Sequence, residues 1–136
     1  MLTRRMAVLG VFAVGSALVG SAPTFAQSRR KSTLQLLDTD NDGTVDLNEA
    51  KAAASALFDK LDADHDGTLD RRELRRRLSA KDFAAADSDK DGTLSKDEYL
   101  ALVEQRFKAA DPDNDATLTA AELRTKAGRA LLRLLM

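Results

Sequence analysis

Cysteine is absent from this 136-residue chain, which excludes a disulfide framework, a thiolate metal site and a cysteine nucleophile. Histidine occurs once, at His65, too few for any histidine-based constellation. Methionine is scarce as well: of three, only Met136 lies beyond the first 26 residues. That disfavours the flexible methionine-rich surface typical of adaptable partner-binding proteins. Aromatic residues make up 4% of the chain. Phe58, Phe83, Tyr99 and Phe107 fall on apolar stripes and are expected in a small core. A chain of this length with 43% apolar residues supports one small domain.

Residues 1–26 have the pattern of an export signal and not of a folded element. Arg4 and Arg5 form a positive start, Met6 to Val19 an apolar stretch, and Pro23-Thr24-Phe25-Ala26 a small-residue cleavage site. The apolar stretch is too short for a spanning helix. Paired arginines are common in ordinary signals, so the general secretory route is favoured over the twin-arginine route. The expectation is a periplasmic or secreted domain of residues 27–136, with no membrane span.

That domain is built on a repeat. Asp38 to Glu49 (DTDNDGTVDLNE), Asp62 to Glu73 (DADHDGTLDRRE), Asp87 to Glu98 (DSDKDGTLSKDE) and Asp111 to Glu122 (DPDNDATLTAAE) begin 24, 25 and 24 residues apart. Each copy carries Asp at positions 1, 3 and 5, Thr at 7, an apolar residue at 8 and Glu at 12. This is the pattern of the EF-hand calcium loop. A hard cation of Ca²⁺ size takes about six to eight oxygens, and alternating carboxylates on a curled loop supply them.

The expected ligands follow loop by loop. Loop 1 offers Asp38, Asp40, Asp42, the Thr44 carbonyl, Asp46 and Glu49; loop 2 offers Asp62, Asp64, Asp66, the Thr68 carbonyl, Asp70 and Glu73. Loop 3 offers Asp87, Asp89, Asp91, the Thr93 carbonyl, Ser95 and Glu98; loop 4 offers Asp111, Asp113, Asp115, the Thr117 carbonyl, Thr119 and Glu122. Loops 1 and 2 hold five carboxylates and loops 3 and 4 hold four, so the first two are expected to bind most tightly. Gly43, Gly67 and Gly92 serve the sharp turn at position 6, where loop 4 has Ala116 and a strained backbone is expected. His65, at position 4, is expected to face outward as ordinary surface.

Charge follows the same pattern. Residues 1–26 contain two of the 21 basic residues and none of the 22 acids, leaving 19 against 22, or −3, for the rest. Eighteen of those acids occupy loop positions 1, 3, 5, 9 or 12; only Asp59, Asp82, Asp97 and Glu104 do not. Carboxylates committed to ions argue for up to four bound Ca²⁺ or lanthanide(III) ions and against an enzyme.

Only 12 or 13 residues separate the loops. Apolar positions 47, 50, 54, 57, 58 and 61 make one unbroken helical stripe, and Tyr99, Val103, Phe107 and Ala110 repeat it within Lys96 to Ala110. Between loops 2 and 3 a helix leaving loop 2 ends its stripe at Leu74 and Leu78, and Ser79 to Asp82 reads as a fresh N-cap. A single terminal helix, weakened by Gly128, is expected after loop 4. The fold class is therefore all-α. A rigid helix holds its two loops apart, so loops 2 and 3 pair and loops 1 and 4 pair.

Arg71, Arg72, Arg75, Arg76 and Arg77 form a basic cluster that offsets the acidic loops, or serves as a docking patch for a protein or an anionic envelope component. Nucleic acid is not an expected partner of an exported chain, and a monomer is expected.

Four such loops on short spacers behind an export signal resemble the lanmodulins, periplasmic lanthanide-binding proteins. The similarity is closest in Phe58-Asp59-Lys60-Leu61-Asp62, Glu98-Tyr99-Leu100-Ala101 and Phe107-Lys108-Ala109-Ala110 leading into Pro112-Asp113-Asn114-Asp115. The resemblance implies trivalent-ion binding. The family features of proline at position 2 and Asp at position 9 occur here only at Pro112 and at Asp46 and Asp70. A metal-triggered adaptor is the alternative to a metal buffer or carrier.

Overall fold

The computed structural model describes residues 31–136; the export signal expected over residues 1–26 lies outside them. The elements are α1 (Thr33–Leu37), β1 (Val45–Asp46), α2 (Leu47–Leu61), β2 (Thr68–Leu69), α3 (Ala80–Ala86), β3 (Leu94–Ser95), α4 (Lys96–Ala110), β4 (Thr117–Leu118), α5 (Ala120–Leu123) and α6 (Lys126–Leu132).

Helices α2 and α4 set the architecture. Each is 15 residues long, or about 22 Å at 1.5 Å per residue. Each starts on a position-9 residue as N-cap, Asp46 or Ser95, and stops on the first Asp of the next loop, Asp62 or Asp111. One unbroken helix thus joins two loops and holds them at opposite ends. The buried stripe of α2 is Ala50, Ala54, Leu57 and Phe58; that of α4 is Tyr99, Leu102, Val103, Phe107 and Ala110.

Loop pairing follows. Strand β1 pairs antiparallel with β4 through Val45 opposite Leu118, and β2 with β3 through Leu69 opposite Leu94. These four side chains are wholly buried, so each paired pair of loops caps one end of the core. The pairing sets α2 and α4 side by side in opposite directions. Phe58 meets Tyr99 edge-on at 5.6 Å, and Lys51 reaches Glu104 at 2.9 Å. Phe83 and Phe107 are buried with them. Among the described residues no helix is long and apolar enough to cross a membrane.

Two expectations need correction. The segment leaving loop 2 is not a helix: Arg71–Arg77 is a run of turns mixing Arg77 N–H to Leu74 O (2.9 Å) with Leu78 N–H to Leu74 O (3.2 Å). Arginines three and four apart would repel along one helix face, which disfavours the regular form. Leu74 still anchors the segment in the core. The C-terminal helix is also broken, into α5 and α6. Thr125 caps α6 by accepting the Gly128 N–H at 3.0 Å. Gly128 is no weak spot there, because a Cβ on it would lie 2.2 Å from the Glu122 carbonyl oxygen. The break folds α6 back against α4, where the Tyr99 hydroxyl donates to Leu134 O at 2.8 Å and Arg106 donates to Ala130 O at 2.9 Å. Helix α1, not foreseen, opens on Ser32 with a capping box to Gln35.

Candidate metal centres

The same hydrogen-bond scaffold shapes all four loops. The position-1 carboxylate is buried and accepts the N–H of position 6: Asp38 from Gly43 (2.9 Å), Asp62 from Gly67, Asp87 from Gly92 and Asp111 from Ala116 (3.0 Å each). Position 5 accepts from the Thr at position 7, at 2.8–2.9 Å from both N–H and hydroxyl: Asp42 from Thr44, Asp66 from Thr68, Asp91 from Thr93, Asp115 from Thr117. Position 3 accepts the N–H of position 5. These bonds curl the chain so that the carboxylates point inward.

The Glu at position 12 closes each ring. Glu49 bridges the N–H groups of Asp46 and Thr39, Glu73 those of Asp70 and Ala63, and Glu98 those of Ser95 and Ser88. Loop 4 differs because Pro112 has no N–H. Glu122 takes instead the N–H and hydroxyl of Thr119, at 2.8 and 2.9 Å.

Carboxylate oxygens converge within 4.8 Å in each loop: Asp38, Asp40 and Glu49; Asp62, Asp64 and Asp66; Asp87, Asp89 and Glu98; Asp111, Asp113 and Glu122. His65 is exposed and joins none of these groups. The position-9 side chains also accept the N–H of the position-12 Glu, Asp46, Ser95 and Thr119 as helix caps and Asp70 at the head of the turns that leave loop 2.

Like charges this close perturb one another. The N–H of position 5 favours the charged form of Asp40, Asp64 and Asp89, but local desolvation, the hydrogen bond with the position-1 carboxyl and the neighbouring position-5 and position-12 carboxylates outweigh it and raise them above the ordinary Asp value. Asp113 is raised chiefly by its hydrogen bond with Asp111. Glu98 moves the other way: the Ser95 N–H, reinforced by the Ser88 hydroxyl and N–H, holds it at about 2. Each loop thus gathers anionic oxygens whose repulsion a cation would relieve. The all-oxygen donor set suits a hard Ca²⁺-class cation, not a thiolate- or imidazole-seeking metal.

The EF hand family model matches residues 30–51, 55–79 and 80–103, spans that enclose the first three loops and total half of the chain. The chain belongs to the EF-hand family. Loop 4 lies outside the matched spans, yet its bonds at positions 1, 3 and 5 repeat those of the other hands and its acidic convergence repeats that of loops 1 and 3. No curated protein sequence matches the chain. The family and the four acidic clusters together make this a metal-binding protein suited to Ca²⁺.

One feature of the EF-hand loops escaped the sequence reading. Position 4 is left-handed in every hand: Asn41 at φ 63°, His65 at 59°, Lys90 at 59° and Asn114 at 54°. Asparagine tolerates this conformation better than histidine or lysine does. The asparagines in hands 1 and 4 were the available signal.

Proposed function

We propose that the protein is an exported, monomeric EF-hand buffer or carrier that takes up to four Ca²⁺ or lanthanide(III) ions. The observation that carries this reading is the fourfold convergence of carboxylates on one hydrogen-bonded scaffold. In each hand the carboxylates at positions 1, 3, 5 and 12 and the carbonyl of position 7 would hold the ion. The position-9 residues Asp46, Asp70, Ser95 and Thr119 contribute directly or through water. A bound cation supplies the charge that offsets the clustered acids. Resemblance to lanmodulins supports trivalent ions among the cargo, and the pattern of residues 1–26 supports export.

With eighteen loop carboxylates and a small core, ion binding should appear as folding free energy. The test is a competition titration of residues 27–136 with Ca²⁺ and La³⁺, read by calorimetry and circular dichroism. Four ions per chain and a gain of helix on metal addition are expected. Absence of ion uptake would overturn the proposal, and full helicity in excess chelator would overturn the coupling to folding.

A further inference from the structure

The turns leaving hand 2 and the end of α6 enclose a cleft of about 510 Å³. Arg72, Arg75, Arg76 and Arg133 line it, alongside Glu73 and Met136. The neighbouring arginines have partners of their own. Arg77 donates to the carbonyls of Arg133 and Met136 and so ties the turn segment to the end of α6. Arg106 donates to Ala130 O at 2.9 Å and to Asp82 at 3.3 Å, and Arg71 lies 5.6 Å from the centre of the Phe83 ring.

Arg72, Arg75, Arg76 and Arg133 have no carboxylate partner among the described residues, and all four are exposed. Four guanidiniums from two distant chain segments therefore share one concavity in which Glu73 is the one lining carboxylate side chain. A second cleft of about 310 Å³, where Arg75, Arg76, Arg106 and Arg133 outnumber the single acid Asp82, continues the same basic face.

The choice of cation points to the ligand. All five basic residues in 71–77 are arginine, although the chain also carries lysines such as Lys81, Lys90 and Lys96. Arginine presents a planar fork of donors matched to carboxylate and phosphate oxygens. A single fork satisfies a planar carboxylate. A tetrahedral phosphate dianion directs its oxygens outward and can accept from guanidiniums on both walls at once.

We propose that this cleft is a binding site for a small phosphomonoester. Glu73, which also closes the ring of loop 2, joins the two sites. An ion held there as in the function proposed above would neutralise Glu73 and strengthen anion binding. By reciprocity the anion would then strengthen ion binding in hand 2 by the same factor.

The test is calorimetric titration with glycerol phosphate, a weak enough metal ligand not to strip the hands, with and without Ca²⁺. Saturable one-to-one binding is expected, weakened by about tenfold or more in Arg75→Gln/Arg133→Gln. Ca²⁺ stoichiometry and helicity, measured on the same samples, should be unchanged in the variant, so failure of ion binding is read separately from failure of the cleft. If the double variant does not fold, Arg76→Gln replaces it and must weaken binding severalfold. No saturable binding, or equal binding by wild type and variant, would overturn the proposal. Binding to phosphatidic acid vesicles but not to glycerol phosphate would also overturn it, in favour of a membrane-docking face.

Discussion

Ala116 takes φ 68° at the loop position that Gly43, Gly67 and Gly92 fill at 88°, 82° and 85°. A Cβ built on any of those glycines meets no atom within 4 Å, so the cost of a side chain here is that of the backbone conformation alone. That cost is about 1 kcal/mol, or about fivefold in affinity, and the extra freedom of glycine in the unfolded chain offsets part of it. Ala116→Gly is therefore expected to tighten hand 4 by up to about fivefold, read by residue-resolved NMR during a Ca²⁺ titration. If the affinity does not change, Thr119 in place of Asp at position 9 is the better account of a weak hand 4. Tyr99 offers a second residue-scale test. Burial pushes its phenol up to about 12 from the ordinary 10. A folded-state value above the unfolded one contributes stability that is complete below about pH 10 and is lost as pH rises through about 12. Tyr99 is the sole tyrosine and tryptophan is absent, so phenolate absorbance reports this group alone. Ca²⁺-loaded protein should ionise Tyr99 near pH 12, with helix lost over the same range; titration near pH 10 with helix intact would show the ring to be accessible.

At the scale of elements, the junction of α5 and α6 depends on a close approach that only glycine allows. Alanine is a better helix former than glycine by about 1 kcal/mol, which alone would make Gly128→Ala stabilising. The contact at 2.2 Å with Glu122 O, and 2.6 Å with Leu123 Cα, reverses the sign, since neither is the movable end of a side chain. Gly128→Ala should destabilise the Ca²⁺-loaded protein by about 1–3 kcal/mol in denaturant unfolding. Hand 4, closed by Glu122, should weaken while hands 2 and 3 keep their affinity. A neutral or stabilising result would mean that α6 can shift freely on α5. The same junction shows where sequence reasoning stopped. Helices Leu47–Leu61 and Lys96–Ala110 were legible to the residue, because an apolar stripe, a capping residue and the next loop's first Asp all agree on their ends. The loop pairing was legible too, through the Ser79 cap that frees loop 3 to fold back on loop 2. Periodicity could not see the packing of Gly128 or the mutual repulsion of Arg71–Arg77. It treated both stretches as ordinary helix. Helix α1 was missed although Ser32-Thr33-Leu34-Gln35 spells a capping box.

Across the whole molecule, the two ends of the core differ in which hands they combine. One end joins hand 1 with hand 4 and the other joins hand 2 with hand 3, so each end carries one five-carboxylate and one four-carboxylate loop. Lanthanide ions resemble Ca²⁺ in size and in preference for hard oxygens, but their third charge makes the attraction per carboxylate about 1.5 times larger at equal distance and dielectric. Dehydrating a trivalent ion costs more, so net preference depends on how many carboxylates face it. Asp46 and Asp70 are the two extra charges, and both also cap the turn toward Glu49 and Glu73. Ser95 and Thr119 perform that capping without charge. Asparagine caps about as well as aspartate, so Asp46→Asn/Asp70→Asn removes charge while leaving the local fold in place. The double variant should lose more affinity for La³⁺ than for Ca²⁺ in hands 1 and 2. Tyr99, adjacent to Glu98, should sensitise Tb³⁺ emission from hand 3 and show that site unaffected. Equal losses for the two ions would mean that position 9 does not set selectivity, and the protein would then be a plain calcium buffer.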